Sequence, residues 1–131
     1  LADGWHPIGH RDPARLYPAE YAEKVAVIHG WARKAGRDAK DITLSLRAPL
    51  ELVPKRAKPS AGDRVPFRGA ASEVTQDIKE YQALGVSHFI FDLTPPDLRG
   101  QLAMMERFAA EVRPKTLKAP RRLSGYPGAT P

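Results

Sequence analysis

The sequence predicts an α/β fold built on parallel strands. Its 131 residues give room for one ordinary domain, and 42% hydrophobic with 27% charged residues are typical of a soluble globular chain. Segments with strand periodicity alternate with helix-like segments, in the order strand, helix, strand, long loop, helix, strand, helix. This alternation implies right-handed βαβ crossovers, so we expect three adjacent parallel strands with all three helices on one side.

The first three elements are each marked by a local pattern. A short apolar strand is predicted at residues 4–7, and Pro18 with Glu20 then marks a first helical turn. Gly36 is expected to end this helix in a left-handed conformation. Residues 42–47 alternate apolar and hydroxyl side chains, which is typical of a strand. The apolar stripe of the helix consists of Tyr21, Val25, Ile28, Ala32 and Ala35.

A long loop is predicted at residues 48–69, because it contains four prolines together with Gly62. Loops of this length are usually lids, binding loops or insertions. The helix that follows has Val74, Ile78 and Tyr81 on one face and is expected to end at Gly85. Residues 86–93 form an almost continuous apolar run, as expected for a strand covered on both faces.

The third helix is predicted from a threonine N-cap at Thr94, two prolines in the first turn and Asp97 three residues on. Trp31, Tyr81 and the pair at residues 104–105 are interpreted as packing residues. Residues 1–112 are therefore predicted to be folded, and 113–131 to be a disordered, basic, proline-rich tail. The stripe expected to pack in the third helix consists of Leu98, Leu102, Met105, Ala109 and Val112.

Three strands with helices on one side leave the other face of the sheet bare, and we expect Phe89 or Phe91 to be exposed there. Trp5, Arg47 and Asp92 are expected at one end of the sheet. The chain begins without methionine and enters a strand at once. We therefore expect it to be the back portion of a larger protein, completed by a missing N-terminal part.

The charge is concentrated in two places. Of the net charge of +6, residues 113–131 carry +5, and the loop at 55–68 carries about +4. A basic module that binds nucleic acid or acidic partners is the alternative function, but the chain lacks an aromatic stacking platform. The absence of cysteine excludes disulfides and thiolate chemistry, and with no predicted membrane segment or signal peptide it favours a cytoplasmic protein.

The opening segment is the best candidate site, because an apolar strand runs into a glycine-containing loop that ends on a cation. Such a loop can hold a phosphate. His6 and His10 are four residues apart in an extended turn, which does not bring them to one metal, and no metal site is predicted. His29 and His88 are interpreted as structural or surface residues.

Four segments, taken together in their order and spacing, point to a family. Residues 2–7 (Ala-Asp-Gly-Trp-His-Pro), 35–38 leading into 42–47, 85–92 and 105–108 resemble the C-terminal part of the bacterial luciferase-like monooxygenases. The resemblance covers about 110 residues. It implies the last three strand-helix units of a TIM (β/α)₈ barrel, an incomplete barrel whose first five units are absent. It also implies an oxidoreductase that uses reduced FMN or the deazaflavin coenzyme on a small-molecule substrate, within a homo-oligomer.

The resemblance also implies the roles of particular residues. Ile8, Gly9, His10 and Arg11 would surround the cofactor phosphate, and Trp5 with His6 would lie at the barrel mouth. Arg47 would contact substrate or cofactor, or else form a structural ion pair with Asp92 or Asp3. The catalytic residues belong to earlier strands and cannot be named. The basic loop at 55–68 favours the deazaflavin, whose tail is acidic, over FMN. A half-barrel that pairs with itself and binds no cofactor is the third reading.

Overall fold

The computed structural model describes residues 2–11, 13–54, 64–93 and 97–117 of the chain. The strands are β1 (Gly4–Trp5), β2 (Thr43–Leu52), β3 (Arg68–Gly69) and β4 (Val86–Leu93). The helices are α1 (Pro18–Lys34), α2 (Ala71–Ala83), α3 (Leu98–Glu111) and α4 (Arg113–Thr116), with a 3₁₀ turn at Ala39–Asp41. None of the helices in these ranges has the length and apolar character needed to span a bilayer.

The sheet is centred on β2, and every pairing in it is parallel. Strand β4 follows β2 from Leu44 to Leu50 along one edge. The amide groups of Thr43 and Glu51 donate to the chain at β1 and just before β3, respectively. Because alternate residues of a strand bond to the same edge, β1 and β3 follow one another along the opposite edge of β2. The predicted parallel order of the first, second and last strands is confirmed.

Strand β2 extends five residues beyond the predicted end at residue 47, and it contains Pro49. The amide groups of Arg47 and Glu51 face the β1 and β3 edge, so the nitrogen of Pro49 faces that edge as well. Along this edge the partners of β2 stop at Gly9 and resume at Phe67. Proline is tolerated because its missing N–H falls where the strand has no partner. The rest of the predicted loop, residues 55–63, lies outside the described residues.

The helix ends follow the sequence closely. Helix α1 begins at Pro18 and is closed by Gly36 with φ of +74°, and α2 is followed by Gly85 with φ of +104°. Helix α3 is capped by Asp97, whose carboxylate accepts a hydrogen bond from the amide of Gly100 at 3.0 Å. The cap predicted at Thr94 lies outside the described residues.

The core lies between the helices and one side of the sheet. Tyr21 of α1 and Tyr81 of α2 are fully buried, as predicted for Tyr81, and their rings meet edge to face at 5.6 Å. The Tyr21 hydroxyl donates to the carbonyl oxygen of Ser45 at 2.9 Å, which fixes α1 to the central strand. The sheet contributes alternate residues of β2, namely Leu44, Leu46, Ala48, Leu50 and Leu52.

Strand β4 is covered on one face only, contrary to the prediction. Phe89 and Phe91 point to the helix side, where both rings lie within 6.1 Å of the Phe67 ring. His88, Ile90 and Asp92 therefore face the bare side. An uninterrupted apolar run has no alternation, so the sequence could not say which residues would face the helices.

The apolar face of α3 is also different from the one predicted. Met104, Phe108 and Val112 pack inward, and the Phe108 ring lies 5.6 Å from that of Phe91. Of the predicted stripe, Val112 is buried as expected, whereas Leu98 is 71% exposed and Met105 is 54% exposed. Trp31, predicted to pack, is 66% exposed. Trp31 lies on the solvent side of α1, where Lys34 covers its ring at 4.8 Å.

The first residues of the predicted disordered tail are folded. Val112 is fully buried, and α4 follows it directly. The side-chain amide of Gln82 donates from Nε2 to the carbonyl oxygen of Thr116 at 2.9 Å, which joins α4 to α2. Residues 118–131 lie outside the described part of the chain.

Candidate functional site

The side of the sheet away from the helices, which we call the open face, carries polar and charged side chains in three rows. Side chains in adjacent parallel strands form rows because residues in register project to the same side. From the amino to the carboxyl end of the strands, the rows are His6, Ser45 and His88; Ile8, Arg47 and Ile90; and Arg11, Pro49 and Asp92. Sequence reasoning placed phenylalanine on this face, and the structure places ionisable groups there instead.

Arg11, Arg47 and Asp92 form a charged cluster on the open face. Arg47 donates from Nε and Nη2 to the Asp92 carboxylate at 2.9 to 3.2 Å. Arg11 donates from Nη2 to Oδ2 of the same carboxylate at 3.1 Å. The hydrogen bonds from Arg47 hold the pKa of Asp92 below its usual value, and those bonds raise the pKa of Arg47. The segment after β1, the middle of β2 and the end of β4 thus each contribute one charge to the cluster.

The geometry decides between the two readings of Arg47 only in part. Its ion pair is with Asp92 and not with Asp3, whose carboxylate pairs with Arg37 at 3.1 Å. The shorter predicted strand had Arg47 at its end, whereas in the structure Arg47 lies in the middle of β2. Its side chain remains 46% exposed, so the ion pair leaves much of the guanidinium accessible to a ligand.

His6 is held in one orientation by the neighbouring strand. The Ser45 hydroxyl donates to the carbonyl oxygen of Trp5 at 3.0 Å, so its single proton is used there. His6 Nδ1 lies 2.6 Å from Ser45 Oγ and must then be the donor in that contact. This tautomer leaves the lone pair of Nε2 as a hydrogen-bond acceptor.

Trp5 and His10, two of the residues expected around the cofactor, lie on the helix side of the sheet. The Trp5 ring packs on that of Tyr21 at a centroid distance of 4.8 Å. Trp5 pairs with Leu44 near the amino end of β2, so it does not share an end of the sheet with Asp92. The reason is that the first strand pairs with β2 beyond Trp5, through Ile8.

His10 is buried among aromatic rings. The Tyr81 hydroxyl donates to the carbonyl oxygen of Leu16 at 2.6 Å, so His10 Nε2 is the donor in its 3.0 Å contact with that hydroxyl. Nδ1 of His10 is buried without a hydrogen-bond partner among the described residues. Burial lowers the pKa of His10 to about 4, against the opposing charge of Asp77. His10 is therefore neutral and is a packing residue in this structure.

The backbone of the opening loop is not a free anion cradle. The amide of Gly9 donates to Arg47 O at 2.8 Å, and that of His10 donates to Arg15 O at 2.9 Å. The expectation that these two amides bind a phosphate is therefore not met in this conformation. Gly9 has a packing role, because a Cβ atom there would lie 3.2 Å from Leu46 Cδ1.

The same turn that occupies these amides also places Arg11. The amide of Arg11 donates to Ala14 O at 3.1 Å, which folds the chain back on itself and leaves the guanidinium over the sheet.

His6 and His10 lie on opposite sides of the sheet, so they do not form a pair. No group of three or more metal-ligating side chains occurs in the described ranges.

Part of the basic loop is neutralised within the fold. Arg64 makes a two-pronged ion pair with Asp77 at 2.7 and 2.8 Å, and its Nε lies 2.9 Å from Glu73. The amide of Phe67 donates to Asp77 at 2.8 Å, so the segment before β3 is fixed to α2. The charge of Arg64 is thus already compensated, and it does not add to a surface for nucleic acid.

Sequence comparison adds no family assignment. Protein-family models give no match to this chain, and neither do curated protein sequences. The candidate function therefore depends on the motifs of the sequence and on the open face.

Sequence reasoning singled out Arg11, Arg47 and His6, and it named Asp92 as a possible ion-pair partner of Arg47, which the structure confirms. It missed Ser45, which orients His6. The alternation of hydroxyl and apolar residues at 42–47 could have placed Ser45 and Arg47 on the same face. The position of Asp92 could not be found in this way, because it depends on the register of β4 against β2.

Proposed function

We propose that this chain is the C-terminal part of a flavin- or deazaflavin-dependent oxidoreductase similar to the luciferase-like monooxygenases, and that the open face lines its ligand cavity. The motifs named above motivate the family, and the small parallel α/β sheet is compatible with the last units of a barrel. The rest of the barrel would come from a segment N-terminal to residue 1, and cover the open face.

One observation carries the proposal: Arg11, Arg47 and Asp92 converge on the open face from the segment after β1, the middle of β2 and the end of β4. In α/β enzymes, ligand-binding groups come from the carboxyl ends of strands and the loops that follow them. Exposed ion pairs contribute little to stability because water screens them, so stability alone gives a weak account of this cluster.

Each side chain on the open face then has a role. Arg11 would bind the cofactor phosphate through its guanidinium, and the occupied amides of Gly9 and His10 leave that task to the side chain. Arg47 would contact the substrate, and His6 would present Nε2 as an acceptor toward the cavity. The flavin or deazaflavin supplies the hydride chemistry when bound, and the protein positions it.

The two other readings are supported less. A nucleic-acid module would use the loop at 55–68, but Arg64 is taken up by Asp77 and Glu73, and residues 55–63 lie outside the described ranges. A half-barrel pairing with itself through the bare face would need an apolar surface there. Two of its three rows are polar or charged, which does not favour such a dimer.

The test is a titration of FMN and of the deazaflavin coenzyme, separately, into the complete protein, followed by fluorescence quenching. Arg11→Ala should weaken binding by about 1.5 to 3 kcal/mol, the range for a hydrogen bond to a charged group, with little change in turnover at saturating cofactor. Arg99→Ala removes an exposed arginine of α3 and is the matched control. Unchanged affinity in Arg11→Ala removes Arg11 from the site, and no binding of either cofactor to wild type refutes the oxidoreductase proposal.

A further inference from the structure

We propose that the open face binds a small amphipathic oxyanion, a molecule with a phosphate or carboxylate group next to an apolar group. The two guanidiniums of Arg11 and Arg47 would hold the oxyanion, and Ile8 with Ile90 would contact the apolar part. The inference names the substrate class for the face described above, and its place in catalysis rests on the proposed function. Arg11 would then donate to both the substrate oxyanion and the cofactor phosphate, since Asp92 takes only its Nη2.

The charge of the cluster favours an anion. Two guanidiniums share one carboxylate, so Arg11, Arg47 and Asp92 together carry a charge of +1. Within the described residues, Nη1 of Arg47 and both Nε and Nη1 of Arg11 make no hydrogen bond. A guanidinium donates five hydrogen bonds in one plane, and its planar fork matches the oxygens of a phosphate or carboxylate. Asp92 thus holds both forks in place and leaves donors available on each.

The apolar part of the site is the middle row of the open face. Ile8 and Ile90 lie in register on either side of Arg47, one on each neighbouring strand. They are 47% and 41% exposed, so both offer apolar surface to a ligand. Strands in a sheet lie about 4.8 Å apart, so the two side chains and the aliphatic stem of Arg47 form an apolar strip roughly 10 Å across. This width accommodates one aromatic ring.

Tight binding needs both the charged and the apolar part of the site. Arg11 and Arg47 keep 56% and 46% of their side-chain surface exposed, and water competes for such groups when they bind a bare anion. An apolar group that covers Ile8 and Ile90 removes apolar surface from water and shields the charges at the same time. We therefore expect a phosphate ester to bind more tightly than inorganic phosphate does.

The experiment compares phenyl phosphate, benzoate and inorganic phosphate as ligands of the complete protein, by isothermal titration calorimetry at constant ionic strength. Phenyl phosphate should bind about tenfold more tightly than inorganic phosphate, the effect of burying one isoleucine-sized surface. Arg11→Ala and Arg47→Ala should each weaken phenyl phosphate by about tenfold. Ile90→Thr, which keeps the β-branched shape, should weaken phenyl phosphate and benzoate and leave inorganic phosphate unchanged.

Controls separate a binding role from a folding role. Arg99→Ala should bind every probe as wild type does, and Arg47→Lys, which keeps the charge but loses the fork, should still weaken phenyl phosphate. Circular dichroism verifies the fold of each variant. The inference is overturned if neither phenyl phosphate nor benzoate binds to the wild-type protein, or if both bind equally well to the folded Arg47→Ala and Ile90→Thr variants.

The outcomes also distinguish this inference from the proposed function. If FMN or the deazaflavin binds and none of the three probes does, the substrate class is wrong and the oxidoreductase proposal stands. If the probes bind with the expected dependence on Arg47 and Ile90 and neither cofactor binds, the oxyanion site stands and the oxidoreductase proposal fails.

Discussion

Acidification should destabilise the protein through His10 well above the pH range in which carboxylates titrate. His10 is 7% exposed, and its burial lowers its pKa from 6.5 to about 4. The folded state therefore resists binding a proton that the unfolded chain accepts. A histidine with a depressed folded pKa contributes stability that is complete above pH 6.5 and is lost as the pH falls toward 4.

The size of the effect follows from the two pKa values. One pKa unit corresponds to about 1.4 kcal/mol, so a shift from 6.5 to about 4 amounts to at most about 3.5 kcal/mol. Integration of the proton-linkage relation between pH 7 and pH 5 gives a loss of about 2 kcal/mol in the free energy of unfolding. Asp92 adds to this loss of stability only at lower pH. Its pKa is lowered, so its stabilising charge is lost only as the pH falls through a pKa below 3.8.

The assay is urea-induced unfolding of the complete protein from pH 7 to pH 5, with the same series for His10→Asn. Asparagine tolerates the φ of +60° at this position and does not titrate. The variant should be less stable at pH 7, and its stability should vary less with pH than that of wild type. His88→Asn removes an exposed histidine and should keep the full pH dependence of wild type.

A direct measurement of the His10 titration decides whether burial of this side chain causes the loss of stability at low pH. The ring protons of His10, followed by NMR, should titrate near pH 4. Titration near pH 6.5 would refute the reasoning, as would a wild-type loss of stability that His10→Asn reproduces in full.

Two further predictions concern the stability of the core. Asp77→Ala leaves the guanidinium of Arg64 inside the fold without its main partner. Urea denaturation should show a loss of about 3 kcal/mol in the free energy of unfolding. Glu80→Ala, on the exposed side of the same helix, should change that free energy by less than about 0.5 kcal/mol. An equal effect of both would show that the ion pair is dispensable. Leu46→Ala leaves a cavity at a fully buried position and should lower the free energy of unfolding by about 2 to 5 kcal/mol. Leu98→Ala, at a 71% exposed position, should have little effect. A loss below about 1 kcal/mol for Leu46→Ala would mean that the core collapses around the cavity.

The sequence by itself determined the three longer helices, the first, second and last strands, and their order. Gly36 and Gly85 mark helix ends because only glycine adopts a left-handed backbone without strain, and both do so in the structure. Pro18 marks a helix start for an equally local reason. The parallel sheet also followed from the sequence, since alternating strands and helices leave few other connections.

The tertiary structure decided which way side chains face, because neighbours from distant parts of the chain make that choice. In β4, the contacts of Phe89 and Phe91 with Phe67 turn His88, Ile90 and Asp92 outward, which no local pattern in an apolar run specifies.

The two arginines of the site show the same limit. Arg11 and Arg47 are 81 and 45 residues from the carboxylate that joins them, and only the register of β4 against β2 brings it into reach. His10 sits in a loop whose composition indicated a phosphate site, yet the aromatic side chains of α2 and the loop before β3 bury it. Local sequence fixes backbone conformation, whereas charge pairing and burial depend on contacts between segments far apart in the chain.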